Sequence, residues 1–430
     1  KKNASIFVDL VIINSIKYIK GKNMGLGGVF IKNSLPDTSL EIMQEKLSIL
    51  KEPFLKSFNP SVKSRKDRIE RVIKLIEENS DQIHTAISKD FGSRHEQLSQ
   101  LTDTLATISH AKHVLKKVSF WVKPDKRKAR FPLNLLGSSA YVHNQPLGVI
   151  GIIAPWNFPI GMIFYPAASV LAAGNRIMAK PSEFTPNTAN LIKEAVGKYF
   201  DESEFAVFLG GPEVGSEFTA LPLDHLLYTG SGNIAKKVVA NAAKNLVPTT
   251  LELGGKSPTI IASDANLELV AKRIMFVKTL NAGQICLSPD YIMVKKGLEE
   301  KLIAELKKVF NTFYPENNGA DYTSMVNDHH HNRMQEYLLD AKDKGAQIIN
   351  LGNFDSSEKN TITTKVLLNV NDDMRVMQEE IFGPLLPIMV YENLSEAVSY
   401  VNNHDHPLGL YFFGNEKLLV QGWRFRLEQS

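Results

Sequence analysis

From Leu147 onward, short apolar runs alternate with amphipathic stretches of helical length, and this alternation constrains the fold more than any other feature. The runs are LGVIGIIAP (147–155), NRIMAKP (175–181), FAVFLGG (205–211), HLLYTGS (225–231) and TTLELG (249–254), with helical spacing between them, for example over 188–199. Such a βαβ series predicts an α/β fold with a doubly wound parallel sheet of nucleotide-binding type. No GxGxxG follows any of these runs, so a dinucleotide would be held differently from the usual Rossmann phosphate turn. A second α/β unit is expected from about Lys256, with strands at 257–263, 291–296, 365–370 and 384–391. A chain of 430 residues is too long for one compact core, which agrees with two domains.

Ahead of the alternating region, Ile69, Val72, Ile73, Ile76, Ile83 and Ile87 recur at helical spacing over 61–90. A turn at Phe91, Gly92 and Ser93 separates this stretch from a second helix over roughly 96–122. SSAYVHNQP (138–146) alternates like an exposed strand, and the basic run KPDKRKAR (123–130), without aromatics, reads as a solvated linker. At the start, Asp9, Asn14 and Lys17 break an apolar run that is too short and polar for a membrane span. No small-residue cleavage site follows it cleanly, which argues against a signal peptide. Met24 opens a more ordinary stretch, so residues 1–23 are expected to be translated leader or annotation error outside the fold, within a leader of doubtful structure over 1–38, which peptides from the native protein would disprove. A composition of 43% hydrophobic and 22% charged residues implies a folded soluble protein, and a net charge of +4 is too small to indicate nucleic acid or an anionic membrane. A single cysteine fits a reducing cytoplasm.

That cysteine, Cys286, lies in NAGQICLSPDYIMV (281–294), where Gly283 and Gln284 mark a loop. Without a disulfide partner its role must come from reactivity or packing. PWNFP (155–159), AKPSE (179–183) and LELGGKSP (251–258) fall at the carboxyl ends of expected strands, the edge where open α/β sheets bind ligands. Singly, Lys180 is an ordinary lysine, Asn157 a turn residue and Glu252 a strand-end charge; together with the cysteine loop they suggest thiol attack on a carbonyl. Asn157 and the Cys286 backbone N–H are candidate donors to the resulting oxyanion, and Glu252 is a candidate general base. NDHHHN (327–332) is not read as a metal site, because consecutive histidines do not share a helix face. A solvated helix start is expected there. His110 and His113 lack a carboxylate or thiol partner in sequence, and no metal is expected.

These motifs, with AGNRIMAKPSEFTP, YTGS and EEIFGPLLP, resemble the aldehyde dehydrogenase superfamily over roughly 39–414. CLSPDY is most similar to the coniferyl-aldehyde and class 3 branches, with Ser288 standing where alanine is commoner. The resemblance implies a variant Rossmann domain (39–131 and 147–255), an oligomerisation hairpin (132–146) and a catalytic domain (256–430). It implies Cys286 as nucleophile, Asn157 as oxyanion donor and Glu252 as the base that activates water against a thioester. Lys180 and Glu183 would bind the adenosine ribose, Gly230 and Ser231 the pyrophosphate, Glu380 the nicotinamide ribose and Phe382 its ring, with Trp156 shaping the cleft. Met162 and Tyr165, one helical turn beyond Asn157, are candidates for lining an aldehyde tunnel, though helix packing explains them equally. The implied substrate is an aromatic or medium- to long-chain aldehyde, the implied coenzyme NAD⁺ with NADP⁺ as alternative, and the implied assembly a homodimer.

After Gly414 the resemblance stops, since NEKLLVQGWRFRLEQS matches nothing in the family pattern. The expectation is a lost carboxyl-terminal part, which would leave a sheet edge unpaired and remove half of the oligomerisation element. The alternative function is therefore an inactive or unstable truncated paralogue that keeps only the cofactor fold. A cofactor-free cysteine hydrolase is a third reading, with no histidine near Cys286 in sequence.

Overall fold

The computed structural model describes residues 37–316, 319–356 and 359–415, so the expectations for residues 1–23 and 416–430 fall outside it. Five short strands, β3 (Val149–Ile153), β4 (Arg176–Lys180), β5 (Phe205–Val207), β6 (His225–Thr229) and β7 (Thr249–Glu252), pair in the order β5-β4-β3-β6-β7, all parallel. The strands β3 and β4 are buried almost throughout, which is why β3 and the middle of β4 are apolar without alternation, although β4 begins and ends on the buried Arg176 and Lys180. Ile177, Ala179 and Phe205 pack on one face with Ile76, Ile163 and Ile192, while Met178, Ala206 and Leu226 pack on the other with Met43, Leu47 and Val238. The chain begins at the middle of this sheet, builds out through β5, and returns to the other side at β6. Clefts for ligands open at such a reversal, outside the carboxyl ends.

A second, six-stranded sheet has the order β10-β11-β12-β9-β8-β13, formed by β8 (Pro258–Ile261), β9 (Tyr291–Lys295), β10 (Gln347–Asn350), β11 (Lys365–Leu368), β12 (Leu385–Tyr391) and β13 (Tyr411–Phe413). All pairs are parallel except β10 against β11. The edge strands β10 and β13 escape sequence reading because each is short and only half-buried. A separate two-stranded ribbon pairs β1 (Asp125–Arg127) with β2 (Ala140–Val142). The basic run expected to be a linker thus supplies one strand of the hairpin, with its side chains exposed.

The long amino-terminal helix is two, Val62–Glu78 and Ser80–Phe91. Asn79 breaks it by turning to φ −112° and ψ 15° while its side-chain amide donates to the Leu75 carbonyl. In the next stretch, a π turn over Gln100–Leu105 lies between Glu96–Ser99 and Ala106–Trp121.

Candidate active site

The carboxyl ends of the first sheet bring together most of the expected cofactor residues. Lys180 ends β4 with its ammonium almost fully buried, 3.2 Å from the Glu183 carboxylate. Glu183 acts electrostatically on Tyr228, whose hydroxyl donates to the Ser231 carbonyl at 3.4 Å. Gly230 lies against the same ring, and a Cβ there would stand 2.3 Å from the Tyr228 oxygen. Ser231 precedes the helix Gly232–Ala242 without donating or accepting a side-chain capping bond, so the first N–H groups of that helix remain available. Glu252 ends β7 with an exposed side chain.

From β7 the short segment 253–257 carries the chain directly into β8, so the carboxyl edge of the first sheet meets the amino edge of the second. The remaining residues stand on that amino edge, ahead of β9 and β12, rather than on the carboxyl edge. Between the helix Leu267–Thr279 and β9, Asn281, Ala282 and Gly283 adopt φ of 52°, 52° and 72° in succession. Gly283 presses on the EEIFGP loop so closely that a Cβ would lie 2.5 Å from the Gly383 carbonyl oxygen. Gln284, fully buried, donates to the carbonyls of Asn281 (2.9 Å) and Ser324 (3.0 Å) and accepts from the Val326 N–H (3.1 Å). These bonds fix the left-handed loop. Cys286 follows on a turn closed by the Ser288 N–H on the Ile285 carbonyl.

Asn157, which follows β3, reaches this loop: its amide donates to the Gln284 carbonyl at 3.0 Å, and its own carbonyl accepts from Asn281 at 3.2 Å. The half-buried Cys286 thiol is pushed above its ordinary pKa by burial, then by the Glu380 carboxylate and, more weakly, by Glu252; its own and Leu287's backbone N–H groups oppose this. The nucleophile candidate, the amide and both carboxylates therefore share one neighbourhood.

Glu380 is held by residues that sequence reasoning passed over. Lys256 pairs with Asp290 and donates to the carbonyls of Val376 (2.8 Å) and Glu379 (3.1 Å), while Asp290 accepts from the Ile381 N–H at 2.8 Å. Arg333 donates to the carbonyls of Glu380 and Ile381 at 3.2 and 3.0 Å. One buried knot thus ties LELGGKSP, CLSPDY and EEIFGP together. Lys256 and Asp290 stood inside the quoted motifs; their place there was the available signal. The Glu380 carboxyl rests on Gly254, where a Cβ would come within 2.1 Å of it. Burial, aided by Asp290 and opposed by the Gly255 N–H, Arg333 and Lys256, lifts its pKa to about 7.

Phe382 meets Trp156 edge-to-face at 5.4 Å, bringing the two rings expected near the nicotinamide into contact. His330 lies 4.8 Å from Trp156, and His331 is buried. The solvated helix start expected for NDHHHN is therefore corrected: only His329 of the three is exposed, because the other two turn inward toward packed side chains. Burial, Arg333 and His329 lower the His330 pKa to about 3, so it is neutral at physiological pH.

Met162 packs against the core that contains Trp156, and the Tyr165 hydroxyl donates to the Thr102 carbonyl at 3.4 Å. Two further buried ionic groups carried no recognisable sequence signal. Arg94 and Asp103 pair at 2.6 Å with neither side chain exposed, against the Asn157 loop. Lys278, 1% exposed, donates to the Pro289 carbonyl at 2.9 Å, and burial lowers its pKa to about 8. Among the described residues, no three histidine, cysteine, aspartate or glutamate side chains gather as metal ligands, and no helix is long and apolar enough to cross a membrane.

The Aldehyde dehydrogenase family matches residues 46–428, so the match runs past Gly414, where the sequence pattern was expected to end it. The chain is 44% identical over 391 residues to "Probable coniferyl aldehyde dehydrogenase" of Caulobacter vibrioides, covering 90% of this chain and 81% of the relative. It is 42% identical over 381 residues to "Coniferyl aldehyde dehydrogenase" of Pseudomonas sp. strain HR199, covering 87% and 78%. The solved structure of substrate-bound Staphylococcus aureus AldH matches with a TM-score of 0.84 at 34% identity, over 89% of this chain and 82% of that one. The chain belongs to the aldehyde dehydrogenase family, a family of NAD(P)-dependent oxidoreductases.

Proposed function

We propose that the protein oxidises a coniferyl-type aromatic aldehyde to its carboxylic acid, through a covalent intermediate on Cys286. The observation that carries this reading is the single neighbourhood shared by a half-buried thiol, the Asn157 amide and two carboxylates. The Cys286 thiolate attacks the aldehyde carbon. One N–H of the Asn157 amide is committed to the Gln284 carbonyl, and the other, with the Cys286 backbone N–H, holds the oxyanion. The dinucleotide, when bound, supplies the acceptor for the hydride. Glu252, exposed at the strand end, takes a proton from the water that attacks the thioester on Cys286 and releases the acid.

Lys180 and Glu183 would hold the adenosine ribose, and Gly230 and Ser231 the pyrophosphate. The uncapped helix start after Ser231 supports this, since helix N-termini accept anions. Glu380 would hold the nicotinamide ribose, and Phe382 and Trp156 would line the cleft for the ring. The Glu183 carboxylate favours ribose hydroxyls over a 2′-phosphate, hence NAD⁺, while Lys180 beside it tolerates NADP⁺. The likeness to coniferyl aldehyde dehydrogenases supports an aromatic substrate, and medium- to long-chain aldehydes are the second class to assay. Met162 and Tyr165 are proposed at the aldehyde entrance. The hairpin of β1 and β2 is proposed as the contact with a second copy of the chain, and the site of action as the cytoplasm.

Stopped-flow mixing with aldehyde and NAD⁺ tests the reading. Steady NADH formation is expected, with Cys286→Ala abolishing it and Glu252→Gln leaving one burst followed by turnover slowed ~10²–10⁴-fold. A folded protein giving no NADH from aromatic or aliphatic aldehydes would overturn it.

A further inference from the structure

We propose that Arg94 and Asp103 are positioning residues of the oxyanion site, clamping the main chain on both sides of Asn157; this rests on Asn157 being the oxyanion donor. Arg94 Nη1 donates to the Asn157 carbonyl at 2.8 Å, and Nη2 donates to Asp103 Oδ2 at 2.6 Å and to Thr102 Oγ1 at 3.0 Å. The guanidinium also faces the rings of Phe91 and Phe158, at 4.9 and 5.3 Å. Asp103 Oδ1 accepts from the N–H groups of Ile160 and Gly161 at 3.2 and 3.5 Å. It thereby caps the helix Gly161–Ala172, which draws no capping bond from its own N-cap side chain. One ion pair thus grips the loop at residue 157 and again at residues 160 and 161.

The setting argues for position rather than stability. Burying both charges is unfavourable in itself, and an apolar pair of similar volume commonly stabilises a core as well or better. The planar fork of arginine offers direction: several N–H groups fixed in one plane. Asp103 sits on the π turn, a local irregularity found often at functional sites. The clamp sets how far the Asn157 amide stands from the Gln284 carbonyl, and hence from Cys286. A displacement of about 1 Å at such a site costs on the order of 10²-fold in rate.

Arg94→Lys keeps the charge beside Asp103 but cannot present the same fork. The expected result is an NADH burst slowed about 10–10²-fold, with the aldehyde KM little changed. Alkylation of Cys286 by iodoacetamide should keep its wild-type rate, because displacement at a saturated carbon builds no oxyanion. In an Asn157→Ala background the same substitution should produce no further slowing. Asp103→Asn, which keeps an acceptor for the two N–H groups, should show the same dependence on Asn157 and serves if Arg94→Lys does not fold. An unchanged burst, or equal slowing with and without Asn157, would overturn the clamp while leaving the oxyanion reading intact. An Asn157→Ala enzyme with an undiminished burst would remove both.

Discussion

At Cys286 the local charges work against the reactive form. Burial and the carboxylates of Glu380 and Glu252 push the thiol pKa up and so disfavour the thiolate that attack requires. Glu380 titrates at about 7, so its own ionisation raises the thiol pKa further just as the pH climbs toward it. Replacing this carboxylate by Glu380→Gln removes that opposing charge. The pH profile of iodoacetamide alkylation is then expected to move to lower pH, with a higher rate at neutrality; a shift toward higher pH would contradict the electrostatic account. Coenzyme choice is set at the same scale. A unit charge about 4 Å from a phosphate is worth ~1–4 kcal/mol at the dielectric of a protein surface or its water. Glu183→Gln should therefore raise kcat/KM for NADP⁺ relative to NAD⁺ by at least ~5-fold. Steady-state assays with both coenzymes check this.

The element that governs the nucleophile is the left-handed run from Asn281 to Gly283. A glycine is required at its end for two reasons, the φ of +72° and the Gly383 carbonyl standing where a Cβ would go. Gly283→Ala forces the cysteine loop away from the EEIFGP loop. It should destabilise the protein by about 1–3 kcal/mol and slow the burst on the order of 10²-fold. Denaturant unfolding and stopped-flow mixing read the two effects, and a variant unaltered in both would show that the loop tolerates the change. The same element shows what sequence alone could reveal. The βαβ pattern placed β3 to β9, β11 and β12, because each carries a short apolar run bounded by turn residues. The motifs named Cys286, Asn157 and Glu252, which fall in one neighbourhood. The break at Asn79 was hidden by isoleucines that keep helical spacing across it. The Arg94–Asp103 pair was invisible because an arginine in a loop and an aspartate on a helical turn ordinarily face solvent, and only tertiary packing turns these inward. The cysteine loop was expected beside carboxyl strand ends, but the crossing from β7 to β8 brings the amino edge of the second sheet to them.

At the scale of the whole molecule, the β1–β2 ribbon is the proposed contact with a second copy of the chain. Two strands of three residues each bury too little to be stable alone. Phe131, Leu133, Leu135 and Leu136, in the connection between them, are each more than half exposed, as is Tyr141. Apolar side chains beside strand edges that no described residue pairs are a candidate contact surface, in line with the proposed second copy. A second copy offers the same cluster and the same edges, so a two-fold arrangement covers both at once. Leu135→Asp combined with Leu136→Asp places charges in the proposed contact while leaving Cys286 and the cofactor residues untouched. Sedimentation velocity should then find a smaller species than for the wild type, with the NADH burst preserved at high protein concentration. An identical sedimentation profile for wild type and variant would exclude this ribbon as the subunit contact and direct the search to another face.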